Sequence, residues 1–325
     1  MQNNSENDNY SPHLQNTDGN YSPYLQNVDS NYSPYNQNDY IPQEYRNEKN
    51  PVLAAFLSFL IMLAFLGIQV VGSLPFMVGS TIKVASEIKY NSDMSADEIT
   101  KTLVDNLDTV GITLFATVIS AIVAILWYKF GYCKGVKPVH IKKTLNSVLS
   151  EGKLFGIIFA AIALFYLSNI LILLIDLISP ETISKYNEMM DMAGISVVNW
   201  KVILTTVILA PINEECIMRG IIFRKLKKHM VPIAAIIISA VYFGIFHMNL
   251  VQGIYATALG LFMAYLANKY DSIIPSFIFH AVFNGLNFIL IFLPDVLNDS
   301  IVFNLAVPAV FMTLWYFFEY KRKIV

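Results

Sequence analysis

Residues 210–228, "APINEECIMRGIIFRKLKK", set Glu214, Glu215 and Arg219 inside a run that is otherwise apolar enough to lie in a bilayer. On the most lenient insertion scale, one ionised side chain at membrane depth costs about 2.5–3.5 kcal/mol. Three together require pairing or a function. On a helix Glu215 and Arg219 are i and i+4, facing neighbours, so an ion pair between them accounts for two of the three. Glu214 is rotated by about 100° from Glu215, and no basic residue stands three or four places from it. The pair explains one carboxylate and leaves the other unexplained.

Composition says which kind of protein would tolerate such a run. The chain has 325 residues, of which 55% are hydrophobic and 14% charged, with a mean hydropathy of +0.51. Soluble domains carry about 25% charged residues. Several apolar runs here reach about 20 residues, the length that crosses a hydrocarbon core of roughly 30 Å. The fold class is therefore an all-α polytopic membrane protein. The two cysteines, Cys133 and Cys216, are not at metal-site or disulfide spacing and read as small buried thiols.

The first 48 residues are different. They repeat with a period of 11 residues, NYSPHLQN starting at Asn9, NYSPYLQN at Asn20 and NYSPYNQN at Asn31. Asn, Gln, Ser, Pro and Asp with isolated tyrosines bury too little apolar surface to offset their ordering entropy, so residues 1–48 are expected to be a disordered tail. The first 50 residues also contain no apolar core of a secretory signal.

Residues 49–325 are read as the membrane domain, with eight spanning helices near 52–78, 110–131, 154–178, 200–223, 231–247, 250–268, 273–293 and 301–318. Ser95 and Glu98 form a capping box ahead of Ile99, Leu103 and Leu107, which predicts a short amphipathic helix over 95–107. A second is expected over 181–193. Arg46 and Lys49, the lysines between 134 and 143, Arg224 to Lys228, and Lys321 to Lys323 fall on alternate connections. By the positive-inside rule, both termini are expected on the cytoplasmic side of the cell membrane.

Two further spans carry polar residues at helical spacing, Phe243 and His247 in "FGIFHMN" and His280 and Asn284 in "HAVFN". At 1.5 Å per residue, Glu214 lies about 14–18 Å from its nearer span end, His247 about 20–22 Å, His280 about 12 Å and Asn284 about 18 Å from the start of their spans. All four fall in the middle belt. An unpaired Glu, two His and an Asn at one depth suit a water-activating centre, with Glu or His taking a proton and His or Asn donating to an oxyanion. Glu214, His247 and His280 could equally hold a divalent metal such as zinc, with a position left for water.

Glu214-Glu215-x-x-x-Arg219, Phe243-x-x-x-His247 and His280-x-x-x-Asn284, in this order on successive spans, resemble the signature of the CAAX-protease and bacteriocin-processing (CPBP) intramembrane proteases. The resemblance covers about residues 150–295. It implies that Glu214, helped by His247, is the base that activates water, that Glu215 and Arg219 support and tune Glu214, and that His280 and Asn284 stabilise the oxyanion. Family members are described both as metalloproteases and as glutamate proteases, and the chain has no His-Glu-x-x-His helix to decide for zinc. The implied partners are a peptide or membrane-protein substrate and the lipid bilayer, with no nucleic acid. The richness in Asn, Lys and Ile looks like a low-GC bacterium, so a farnesylated CaaX substrate is not expected; the settings the resemblance offers are peptide or bacteriocin processing, self-immunity and regulated proteolysis of membrane proteins.

Competing readings leave weaker marks. A serine intramembrane protease needs Gly-x-Ser-Gly and an aspartyl one Gly-x-Gly-Asp, and neither run is present. A proton-coupled transporter would call for a repeated half with matching broken segments. A non-enzymatic immunity or scaffold protein, its polar residues merely knitting helices, would tolerate Glu214→Gln. Pro211, three residues before Glu214, is expected to kink its span and free carbonyls near the site.

Overall fold

The computed structural model describes residues 50–88, 95–132, 146, 152–196, 198–292, 294 and 300–321. The repeat tail and Cys133 lie outside the described residues. Among the described residues every regular element is helical. In chain order they are α1 (Pro51–Ile88), α2 (Ala96–Asn106), α3 (Thr109–Trp127), α4 (Lys153–Ile178), α5 (Pro180–Met192), α6 (200–227), α7 (Pro232–Phe246), α8 (Leu250–Tyr270), α9 (Ile274–Ile289) and α10 (Ile301–Tyr316).

Five of these reach spanning length and apolarity, over Pro51–Ser86, Thr109–Gly131, Lys153–Ile178, Leu250–Tyr270 and Ile301–Tyr320. The apolar helices α7 and α9 have 15 and 16 residues, or about 23 Å, less than the hydrocarbon thickness. With α6 they correspond to the eight expected runs. The largest departure is α1, which continues ten residues past Val78 to Ile88. Hydropathy stops at the polar residues, but Ser73 and Thr81 satisfy their hydroxyls on the carbonyls of Val70 and Met77, so the helix itself has no reason to end there.

The two surface helices form as their caps dictate. The backbone N–H of Ser95 donates to Glu98 Oε2 at 2.8 Å and the N–H of Glu98 to Ser95 Oγ at 3.3 Å, a reciprocal capping box opening α2. Those bonds from Ser95 hold the Glu98 carboxyl below its ordinary value. Ser179 precedes Pro180 at the start of α5. Gly194, at φ 70°, ends the α5 turn so close to α3 that a Cβ there would stand 2.6 Å from Val110 Cγ2.

The core gathers around α6. Met62 and Phe65 of α1, Ile157 and Phe165 of α4, Phe243 of α7, Met263 of α8 and Phe279 of α9 all belong to one buried cluster with Ile217, Met218 and Ile221. Every residue from Glu215 to Phe223 is buried. Helices α7 and α8 approach closely because Gly244 has no side chain: a Cβ there would lie 2.0 Å from Thr257 Oγ1 and 2.6 Å from the Gly253 carbonyl.

Helix α6 is not a regular α-helix. Residues Leu204–Leu209 and Glu215–Phe223 are π-wound, with α-helical turns between and around them. Pro211 lies at the first switch. In the π register the N–H of Ala210 reaches the Thr205 carbonyl, so the next carbonyl, that of Thr206, would be served by residue 211, which as proline has no N–H. Asn284 of α9 fills that vacancy, donating from Nδ2 to the Thr206 carbonyl at 2.8 Å. The expected freed carbonyl is therefore real, and a neighbouring helix has taken it.

Candidate active site

The residues of the three motifs are carried by three helices. Helix α6 supplies Glu214, Glu215 and Arg219, the end of α7 supplies Phe243 and His247, and α9 supplies His280 and Asn284.

The charge at the base of the site is Arg219, wholly buried. It donates from Nη1 to Glu215 Oε1 at 2.8 Å and from Nη2 to the Gly260 carbonyl of α8 at 3.3 Å, and its guanidinium stacks 4.4 Å from the Phe243 ring centroid. The expected i,i+4 pair is thus formed, and it is dry. Removing one partner of such a pair leaves an uncompensated buried charge and costs about 3–5 kcal/mol.

His280 bridges the two carboxylates. Its Nδ1 lies 3.1 Å from Glu215 Oε1, within hydrogen-bond distance, and its Nε2 lies 3.7 Å from Glu214 Oε2. The second distance is too long for a direct bond. Glu214 Oε2 is buried and accepts no hydrogen bond among the described residues. The partner that Glu214 lacks within its own helix is therefore His280, held just out of contact.

Phe243 organises the other imidazole. Its ring meets His247 edge-on at 4.9 Å between centroids and His280 edge-on at 5.8 Å. His247 closes α7, and its Nδ1 donates to the Phe243 carbonyl at 2.9 Å, which turns Nε2 away from its own helix. The structure gathers His247 and His280 around one aromatic ring, with His247 at the end of α7 rather than in the middle of a span. Glu214 approaches His280 without a direct bond, whereas His247 is tied to α7. Asn284 spends one amide hydrogen on Thr206 and keeps another.

Other polar residues carried no sequence signal of their own. Asn213 is buried beside Glu214 and donates to Ser120 Oγ at 2.9 Å and to the Thr117 carbonyl at 3.2 Å, pinning α6 to α3. Asn249 caps α8 immediately after the His247 elbow. A helix-start signal, Asn followed three residues later by Gln, marks it in hindsight. Cys216 is buried, as expected.

Among the described residues no three His, Cys, Asp or Glu side chains stand at metal-ligating spacing. Glu214 and His280 approach each other, but His247 does not complete a triad with them. The arrangement as it stands does not fit a three-ligand centre, and no reaction step below passes through a metal.

Comparison with known proteins picks out the same part of the chain. Residues 196–286 match the family model described as Rce1-like, type II CAAX prenyl endopeptidase Rce1-like. That stretch runs from the start of α6 through α9 and contains all three polar motifs. No curated protein and no solved structure gave a significant match. Residues 196–286 are thus similar to the Rce1-like, CAAX-type endopeptidases, in keeping with the resemblance to the CPBP proteases.

Proposed function

We propose that this protein is an intramembrane endopeptidase that hydrolyses a peptide bond with water activated at Glu214. The observation that carries this reading is the gap between Glu214 Oε2, which is buried and accepts no hydrogen bond among the described residues, and His280 Nε2, 3.7 Å away. A polar contact of that length is where a water can hydrogen-bond to both sides. A scaffold that used these residues only to join helices would have no reason to keep them apart.

In the reaction, Glu214 takes a proton from the water as its oxygen attacks the scissile carbonyl carbon. His280, with Nδ1–H held by Glu215, turns Nε2 toward the same gap, and in the doubly protonated form it donates to the developing oxyanion. The charges then balance, Glu214 and Glu215 against Arg219 and His280. Asn284 offers its second amide hydrogen to that oxyanion, and His247 Nε2, its Nδ1–H engaged by the Phe243 carbonyl, assists proton removal. Collapse breaks the C–N bond, and the proton on Glu214 passes to the leaving nitrogen. The products are a new carboxylate and a new amine.

The substrate class that fits is a peptide or the exposed segment of a membrane protein, and bacteriocin processing is the favoured setting over farnesylated CaaX proteins. The protein would lie in the cell membrane with both termini cytoplasmic, by the distribution of Lys and Arg. The test is to incubate membranes of cells expressing the wild type or Glu214→Gln in H2(18)O and to compare N- and C-terminal peptides by mass spectrometry. New C-termini carrying one heavy oxygen are expected with the wild type alone. The same termini persisting in the variant would overturn the assignment.

A further inference from the structure

Helices α7 and α8 are joined by His247, Met248 and Asn249 alone, and the link has no slack. The two helices press together just beyond it, where a Cβ on Gly244 would stand 2.0 Å from Thr257 Oγ1 and 2.6 Å from the Gly253 carbonyl. To turn the chain in so short a space, Met248 takes φ 53°, a left-handed conformation that is costly for a non-glycine residue and persists only where something fixes it. Packing of its own side chain is not what fixes it, because Met248 is 76% exposed.

Asn249 supplies the tie. Its Nδ2 donates back across Met248 to the His247 carbonyl at 3.1 Å and forward to Gln252 Oε1, while its Oδ1 accepts from the Gln252 N–H at 2.7 Å. Both amide hydrogens are spent, and together these bonds fasten the end of α7 to the first turn of α8. From the other side His247 is held by α7 itself, its Nδ1 on the Phe243 carbonyl at 2.9 Å and its N–H on the Gly244 carbonyl at 3.2 Å. The imidazole that assists proton removal thus stands in a link between helices rather than within one. Its aim depends on both ends of that link, and the α8 end is fixed by Asn249.

We propose that Asn249 is a positioning residue of the hydrolytic site that acts through His247: its amide holds the left-handed elbow at Met248 and so fixes the direction in which His247 Nε2 points. The proposal rests on the hydrolytic reading for its consequence in cleavage, not for the elbow itself. Asn249→Ser keeps an oxygen to cap α8 but removes the amide. Met248→Gly lets the backbone take the positive φ without strain, so it should make the tie dispensable.

The test uses the full chain in lipid nanodiscs. In amide hydrogen exchange, Asn249→Ser is expected to speed exchange at the N–H groups of His247 and Met248, which bond to the Gly244 and Ile245 carbonyls, by about tenfold, the scale of one lost hydrogen bond. Adding Met248→Gly should return both toward the wild-type rate. Unchanged exchange at these two residues in Asn249→Ser overturns the proposal. With an internally quenched peptide spanning the bond cut in a Glu214-dependent way, Asn249→Ser lowers kcat about ten- to a hundredfold, the cost of a misplaced catalytic group, with KM nearly constant, and the double variant with Met248→Gly recovers most of the loss. A change confined to KM, or a kcat that the glycine fails to recover, contradicts the positioning role. If no Glu214-dependent cleavage exists, the hydrolytic reading fails, and the exchange pattern still decides whether Asn249 holds the elbow.

Discussion

Helices α6 and α10 are both apolar enough to belong in a bilayer, but they do opposite work. Only 6% of the apolar stretch of α10 is buried, and Ile301, Val302, Leu305 and Val310 face outward. In α6 all nine residues from Glu215 to Phe223 are buried, a carboxylate and a guanidinium among them. Lipid tails are as apolar as leucine, so an outer helix gains little from any one side chain it shows them. The inner helix is different. It is wound irregularly, interrupted by Pro211, and held in that state by hydrogen bonds from its neighbours. The tolerance of the sequence to change should follow the same division.

The largest effect is expected at Arg219. Arg219→Met leaves the buried Glu215 carboxylate without its partner and should cost about 3–5 kcal/mol, read as a lowered thermal midpoint in detergent and poor recovery from membranes. A smaller effect should show that Asn284 stands in for the hydrogen that Pro211 lacks. Asn284→Ala orphans the Thr206 carbonyl and is expected to cost about 1–3 kcal/mol. Pro211→Ala restores a backbone N–H in register with that carbonyl, so the cost of Asn284→Ala should shrink in the Pro211→Ala background. Strict additivity in that double-mutant cycle would refute the explanation given for the irregular winding. At the small end, Leu305→Ala on the outer face of α10 should move the midpoint by less than the equivalent of about 0.5 kcal/mol. A loss comparable to Arg219→Met would mean that α10 is covered by something other than lipid.

The same division governs what the sequence disclosed. Hydropathy locates helices by what lipid demands, so the outer spans and their order are legible to within a few residues. It overlooks the extension of α1 to Ile88, because a helix can leave the hydrocarbon without ending. The Glu215–Arg219 pair was legible because its partners share one helix at i and i+4. The contact between Glu214 and His280 was not, since it joins residues 66 positions apart on different helices, and depth arguments place side chains in a layer without saying which ones meet. The π-winding of α6 was equally hidden. Pro211 signalled a disturbance, but only the position of α9 shows that Asn284 resolves it. Asn213 had no signal, because a lone Asn in an apolar run has an ordinary reading as an interhelical contact.

The central claim is that Glu214 is kept unpaired for chemistry rather than for the fold. The most direct test measures thermal stability and substrate cleavage on the same preparation of Glu214→Gln in proteoliposomes. Cleavage should fall about 10²–10⁴-fold, the usual worth of a general base, with a thermal midpoint equal to that of the wild type. Cleavage retained at wild-type rate, or lost only in step with a collapsed midpoint, would contradict it.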